Sequence, residues 1–141
     1  RARGIDAALA AAGLELHGEP MFSEWSERWG RDAAAMLLAQ HTEVDAIACG
    51  SDQIARCVLD TLRDLGRQVP EDVAVIGYDN WEGLTTNSRP ELTSIDANLQ
   101  QLGREAARHL FQVMGTDQPR PSGTRHLPVR LVIRGSTIPR R

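Results

Sequence analysis

At 141 residues, with 41% hydrophobic and 25% charged side chains, the chain has the size and balance of one globular domain with a substantial core. A net charge of −3 argues against wholesale nucleic-acid binding, and the 16 basic residues are all Arg, which excludes any chemistry needing a lysine amine. No apolar run approaches the roughly 20 residues of a membrane span, and no charged-then-apolar signal pattern opens the chain.

The predicted elements alternate helix and strand. Ile5, Ala8, Leu9 and Ala12 recur at helical spacing and stop at Gly13; "LELHG" follows as a short strand. Trp29 to Gln40 reads as a second helix with Ala33, Met36, Leu37 and Ala39 on its apolar side, and "VDAIACG" is the next strand. Ser51 or Asp52 caps a third helix whose stripe is Ile54, Ala55, Val58, Leu59, Leu62 and Leu65, ending at Gly66. Pro70 separates it from "VAVIG". Continuously apolar strands joined by helices predict a doubly wound α/β fold, a mostly parallel sheet with helices on both faces. Cys49 and Cys57, eight residues apart on a strand end and the following helix, are read as free thiols of a reducing compartment.

After Asn80 the rhythm changes. "NSRPELTSID" reads as a loop and a short strand from Leu92 to Ile95. Asn98 and Gln101 form a capping-box pattern opening a helix through Leu99, Leu102, Ala106, Leu110, Phe111 and Met114 to Gly115. "TDQPRPSGT" is a Pro/Gly-rich connection. In "HLPVRLVIRGST", Val129, Leu131 and Ile133 alternate with Arg130, Val132 and Arg134, the pattern of a half-exposed strand. The six Arg between Gln118 and Arg141, with no acid among them, read as a solvated edge and tail. No internal repeat is present.

Why does the apolar run Val73 to Ile76 break at Gly77 and present Tyr78, Asp79 and Asn80? Loops at the carboxyl ends of parallel strands share one crevice, where ligands bind. The loops "GEPMFSEW", "CGSD" and "GYDN" bring Trp25, Ser51, Asp52, Asp79 and Asn80 to that edge. Carboxylates and amides beside an aromatic face suit a polar, uncharged ligand such as a sugar. Each residue also has a plainer reading: Asp52 as a helix cap, Asp79 as a turn residue, Trp25 as an aromatic under a loop, Tyr78 as packing on the sheet edge. Trp29 is read as a core aromatic. His17, His41, His109 and His126 show no metal-ligand spacing with one another or with the cysteines and are read as structural or surface residues, so no metal and no cofactor are expected.

"DAIACGSDQIARCVLDTLRDLGRQVPEDVAVIGYDN", then "PELTSI", "LGREAARHL" and "LPVRLVIRGST", in this order over nearly the whole chain, resemble the effector-binding part of the lactose-repressor (LacI/GalR) family of bacterial transcription regulators. The resemblance implies that Asp79, the aspartate of "GYD", binds effector hydroxyls or amides. "RARG" matches the family's arginine that reaches into the cleft, here Arg1; Trp25 matches the aromatic that stacks on the ligand; Ser51 takes the place of a ligand-contacting Asn or Gly beside Asp52. Ala97 stands where many relatives carry Gln.

By the family template, residues 1 to 97 and 124 to 141 form the C-terminal lobe of a two-lobed sensor, while residues 98 to 123 are a helix and linker crossing to an N-terminal lobe. The family's helix-turn-helix headpiece, hinge helix and N-terminal lobe have no match in these residues, so the chain is expected to be the C-terminal portion. The implied protein is cytoplasmic, not an enzyme, a homodimer contacting through Asp52 to Leu65 and Gly83 to Arg89, a binder of a small-molecule effector, and a binder of operator DNA only through the headpiece. Two rivals share parts of the pattern. A periplasmic sugar-binding protein of a transporter has the same fold and cleft. A phosphoryl-accepting receiver with Asp79 or Asp52 as acceptor is disfavoured by the lack of Lys.

Overall fold

The computed structural model describes residues 1–114 and 123–138. Among these described residues nine elements follow in chain order: α1 Ala2–Ala11, α2 Glu27–Gln40, β1 Ala46–Ala48, α3 Asp52–Asp64, β2 Ala74–Tyr78, α4 Glu82–Thr85, β3 Thr93–Asp96, α5 Leu99–Met114 and β4 Arg130–Val132. The sheet order is β1-β2-β3-β4, parallel from β1 to β3, with β4 antiparallel against β3. The mostly parallel α/β sheet expected from the sequence is present.

The core lies between the sheet and the α2–α3 pair. Ala34 and Leu38 of α2, Ala55, Val58, Leu59 and Leu62 of α3, and Val73, Val75 and Leu92 form one buried cluster. Ser51 caps α3, its Oγ accepting from the Ile54 N–H at 3.2 Å, so of the two candidate caps Ser51 fills the position. Every residue of the predicted α3 stripe is buried except Leu65, which is 55% exposed because it follows the last helical turn as C-cap. The buried side of α2 is rotated from the predicted one: Gly30, Ala33, Ala34 and Leu38 face inward, whereas Met36 and Ala39 face out. Small residues win there because α3 approaches closely; a Cβ on Gly30 would stand 2.9 Å from that of Cys57.

On the opposite face the covering is looser. α1 starts there, since Arg1 lies over the ring of Tyr78, which alternates away from buried Gly77. Its Ala2, Ile5 and Leu9 are half-buried at helical spacing, but no residue of α1 is buried outright. The predicted strand "LELHG" does not form: Leu14 and Leu16 are exposed, and His17 lies beside Glu43 at the entry to β1, where a strand running parallel to β1 would have placed it at the exit. The three-residue β1, with Ala46 and Ala48 exposed, offers little apolar surface for such a strand.

β4 is also turned around. Val129, Leu131 and Ile133 are more than half exposed, while Val132 and Arg134 are half-buried. α4, a single turn, occupies part of what reads in the sequence as loop. At the start of α5 one arm of the capping box forms, the Gln101 N–H donating to Asn98 Oδ1 at 3.4 Å, while the Asn98 N–H donates to Asp96 Oδ1 at 2.8 Å and Gln101 Oε1 accepts from Asn98 Nδ2 at 2.7 Å. No residue of α5 is buried. Gly115, most of the Pro/Gly-rich connection and the terminal Arg140 and Arg141 lie outside the described residues.

Candidate ligand-binding site

Parallel pairing brings the carboxyl ends of β1 and β2 to the same edge. Arg1 donates from Nη1 to the Gly50 carbonyl at 2.6 Å, and its guanidinium lies 3.8 Å from the centroid of the Tyr78 ring. Trp25 Cη2 lies 3.7 Å from where a Cβ on Gly50 would stand, and the indole is 63% exposed. Asp79 leaves β2 at a φ of 108°, held by its N–H to the Ile95 carbonyl at 2.9 Å. Among the described residues the half-buried Asp79 carboxylate has no hydrogen-bond partner. Arg1 and Trp25 therefore meet at Gly50, and Arg1 reaches Tyr78, the residue before Asp79.

The other two candidates are committed elsewhere. Ser51 is 5% exposed, its hydroxyl oxygen used as the α3 cap. Asp52, 1% exposed, neither caps the helix nor opens onto the edge: its Oδ2 accepts from the Trp81 N–H at 2.6 Å and its Oδ1 from the Ser94 hydroxyl at 2.5 Å. Both are engaged within the fold, because the start of α3 is packed under the "GYDN" turn. Burial raises the Asp52 carboxyl above the ordinary aspartate range, and the nearby charge of Asp79 adds to this, against the opposing hydrogen bonds of Ser94 and Trp81.

Gly77 answers part of the question its sequence raises. A Cβ there would overlap Asp52 Oδ1 and crowd Leu92, so only glycine lets β2 pass over the Asp52 carboxylate. Asn80, at a φ of 55°, donates its N–H to Ser94 Oγ at 3.0 Å and accepts at Oδ1 from Arg134 Nη2 at 2.8 Å.

Arg134 and Ser136 are organising residues that the sequence reading missed. Arg134 Nη1 donates to the Leu92 carbonyl at 2.8 Å. Ser136, fully buried, accepts at Oγ from the Thr93 N–H at 2.8 Å and donates to the Val75 carbonyl at 2.6 Å, tying β2 to β3. The closing "RGST" is thus a clasp under the candidate site; the only signal for it was the departure of a basic, hydroxyl-rich run from strand alternation.

Cys49, directly after β1, is free, and burial pushes its thiol up to about 12, with Cys57 and Asp52 adding to the shift. A thiol held protonated in this way is a poor nucleophile. Along this edge lie the Asp79 carboxylate, without a hydrogen-bond partner among the described residues, the exposed Trp25 indole, and Arg1 held at the Gly50 carbonyl.

A family model described as "Periplasmic binding protein-like domain" matches residues 1–137. The HTH-type transcriptional regulator CelR of Thermobifida fusca is 38% identical over 135 residues, 94% of this chain and 37% of that protein. The chain thus spans well under half the length of this relative. A solved structure titled as the transcriptional regulator CelR–cellobiose complex superposes with a TM-score of 0.87 at 33% identity, covering 96% of this chain and 41% of that one. The lac repressor dimer bound to operator and the anti-inducer ONPF superposes with a TM-score of 0.83 at 26% identity, covering 97% and 40%.

Proposed function

Because this chain belongs to the LacI/GalR family of transcriptional regulators, as part of its periplasmic-binding-protein-like effector-binding domain, we propose that it senses a small polar metabolite, a sugar, at the strand-end edge. The observation that supports this reading is the half-buried Asp79 carboxylate with no hydrogen-bond partner among the described residues, one position after Tyr78, over whose ring Arg1 lies, while Arg1 and Trp25 both approach Gly50. A carboxylate accepts hydrogen bonds from hydroxyls, and an exposed indole covers the C–H face of a pyranose ring. The cellobiose complex of CelR supports a carbohydrate over other polar ligands.

In this reading the edge is one wall of a cleft whose other wall is an N-terminal lobe, with residues 98 to 123 crossing between the two. The effector acts by binding one closure state more tightly than the other, and that differential affinity sets how a homodimer presents its helix-turn-helix headpieces to operator DNA. The α3 helix and residues 83 to 89 supply the dimer contacts. The protein works in the cytoplasm and makes or breaks no bond. The high, protonated thiol of Cys49 and the structural engagement of Asp52 support a binding role over catalysis.

The test is calorimetry on the complete regulator with candidate mono- and disaccharides. Asp79→Ala is expected to weaken the bound sugar by about 1.5–3 kcal/mol, the range for hydrogen bonds to a charged group. Unchanged affinity would remove Asp79 from the site.

A further inference from the structure

Away from that edge, at the entry to β1, three side chains from separated positions converge. His17 Nδ1 lies 3.1 Å and His41 Nδ1 3.6 Å from the same oxygen, Glu43 Oε1, and one donor atom from each residue lies within 4.8 Å of the other two. The rings are 6.2 Å apart between centroids. The approach is close: Gly18 turns at a φ of 70° or more, namely 74°, and a Cβ there would stand 2.9 Å from His41 Nε2. Among the described residues this is the one such group of three.

We propose that His17, His41 and Glu43 form a binding site for a divalent metal ion of the zinc type. Two imidazole nitrogens and a carboxylate oxygen are a donor set that zinc accepts in three-ligand sites, with water in the fourth position. Small rotations about the side-chain bonds bring donors at these separations onto one ion, and half-exposure leaves room for the water. Ligand spacing along a chain identifies sites built on one element, whereas this one joins the segment after α1 to the turn after α2. Its consequence is mechanical. Residues 12–26 form no helix or strand, and they lead directly to Trp25 of the candidate cleft. An ion at His17 would fasten this segment to the entry of β1.

The test uses the purified protein after dialysis against a chelator, titrated with ZnCl2 by calorimetry and with CoCl2 by visible absorption. The expected result is one ion per chain, binding lost in His17→Ala and in Glu43→Gln but kept in His126→Ala, cobalt bands without a thiolate charge-transfer feature, and a zinc-dependent rise in melting temperature that His17→Ala abolishes. Because His17 is exposed, His17→Ala is expected to fold, which circular dichroism verifies. Absence of saturable binding to the unaltered protein, equal binding by His17→Ala, or a thiolate band pointing to Cys49 or Cys57 would each overturn the assignment.

Discussion

Asp52 carries an unusual share of the local structure for one side chain. It joins the first turn of α3 to the Trp81 backbone and, through Ser94, to β3, and the missing Cβ of Gly77 makes room for it. Removing the carboxylate strands two donors, so Asp52→Ala is expected to lower stability by about 1.5–3 kcal/mol in a urea melt. The pH dependence has a definite sign. Burial raises the folded-state pKa of Asp52, so its contribution is fully present below the unfolded aspartate value and is lost as pH rises through the folded one. Asp52→Asn removes that titration; its stability relative to the unaltered protein should therefore increase over this interval. A difference between the two melts that stays constant with pH would contradict the raised pKa.

Among the elements, α5 poses the clearest energetic problem. Leu99, Leu102, Leu110, Phe111 and Met114 are between 46% and 73% exposed, so the helix does not cover its apolar side with the chain's own sheet. Burying one large aliphatic side chain is worth roughly 1.5–3 kcal/mol, which favours any surface that accepts this stripe. In the complete regulator the N-terminal lobe is the proposed cover. In the 141-residue chain alone, the equivalent helix of a second copy is the substitute, with "TSIDAN" as the hinge of an exchange. Sedimentation should accordingly show a dimer or larger species, and Leu102→Glu should shift it towards monomer. A strictly monomeric chain, before and after that substitution, would refute the assignment of α5 as a lobe-crossing helix.

At the scale of the whole molecule, a net charge of −3 opposes wholesale attraction to the DNA backbone. The 141-residue chain is therefore expected to give no operator-selective gel shift at physiological salt; any weak attraction through its Arg-rich C-terminal part should vanish as salt rises. A shift that persists and distinguishes operator from random DNA would oppose this. Among the described residues no helix is long and apolar enough to cross a membrane.

The sequence by itself determined the elements whose signals are local. Helical periodicity behind a Ser51 or Asp52 cap placed α3, Asn98 with Gln101 marked the start of α5, and unbroken apolar runs gave the parallel β1 and β2. The common edge of the β1 and β2 exit loops was legible as well, because parallel strands send these loops to one side. The tertiary structure decided what depends on partners distant in the chain. It showed Asp52 as a buried latch, Arg134 and Ser136 as a clasp, "LELHG" as unpaired, and Val129, Leu131 and Ile133 as outward-facing. A strand needs a neighbour to supply its hydrogen bonds, and a buried carboxylate needs donors to hold it. Neither requirement is written in the residues next to it; both are met across separations of up to 61 positions, as between Ser136 and Val75.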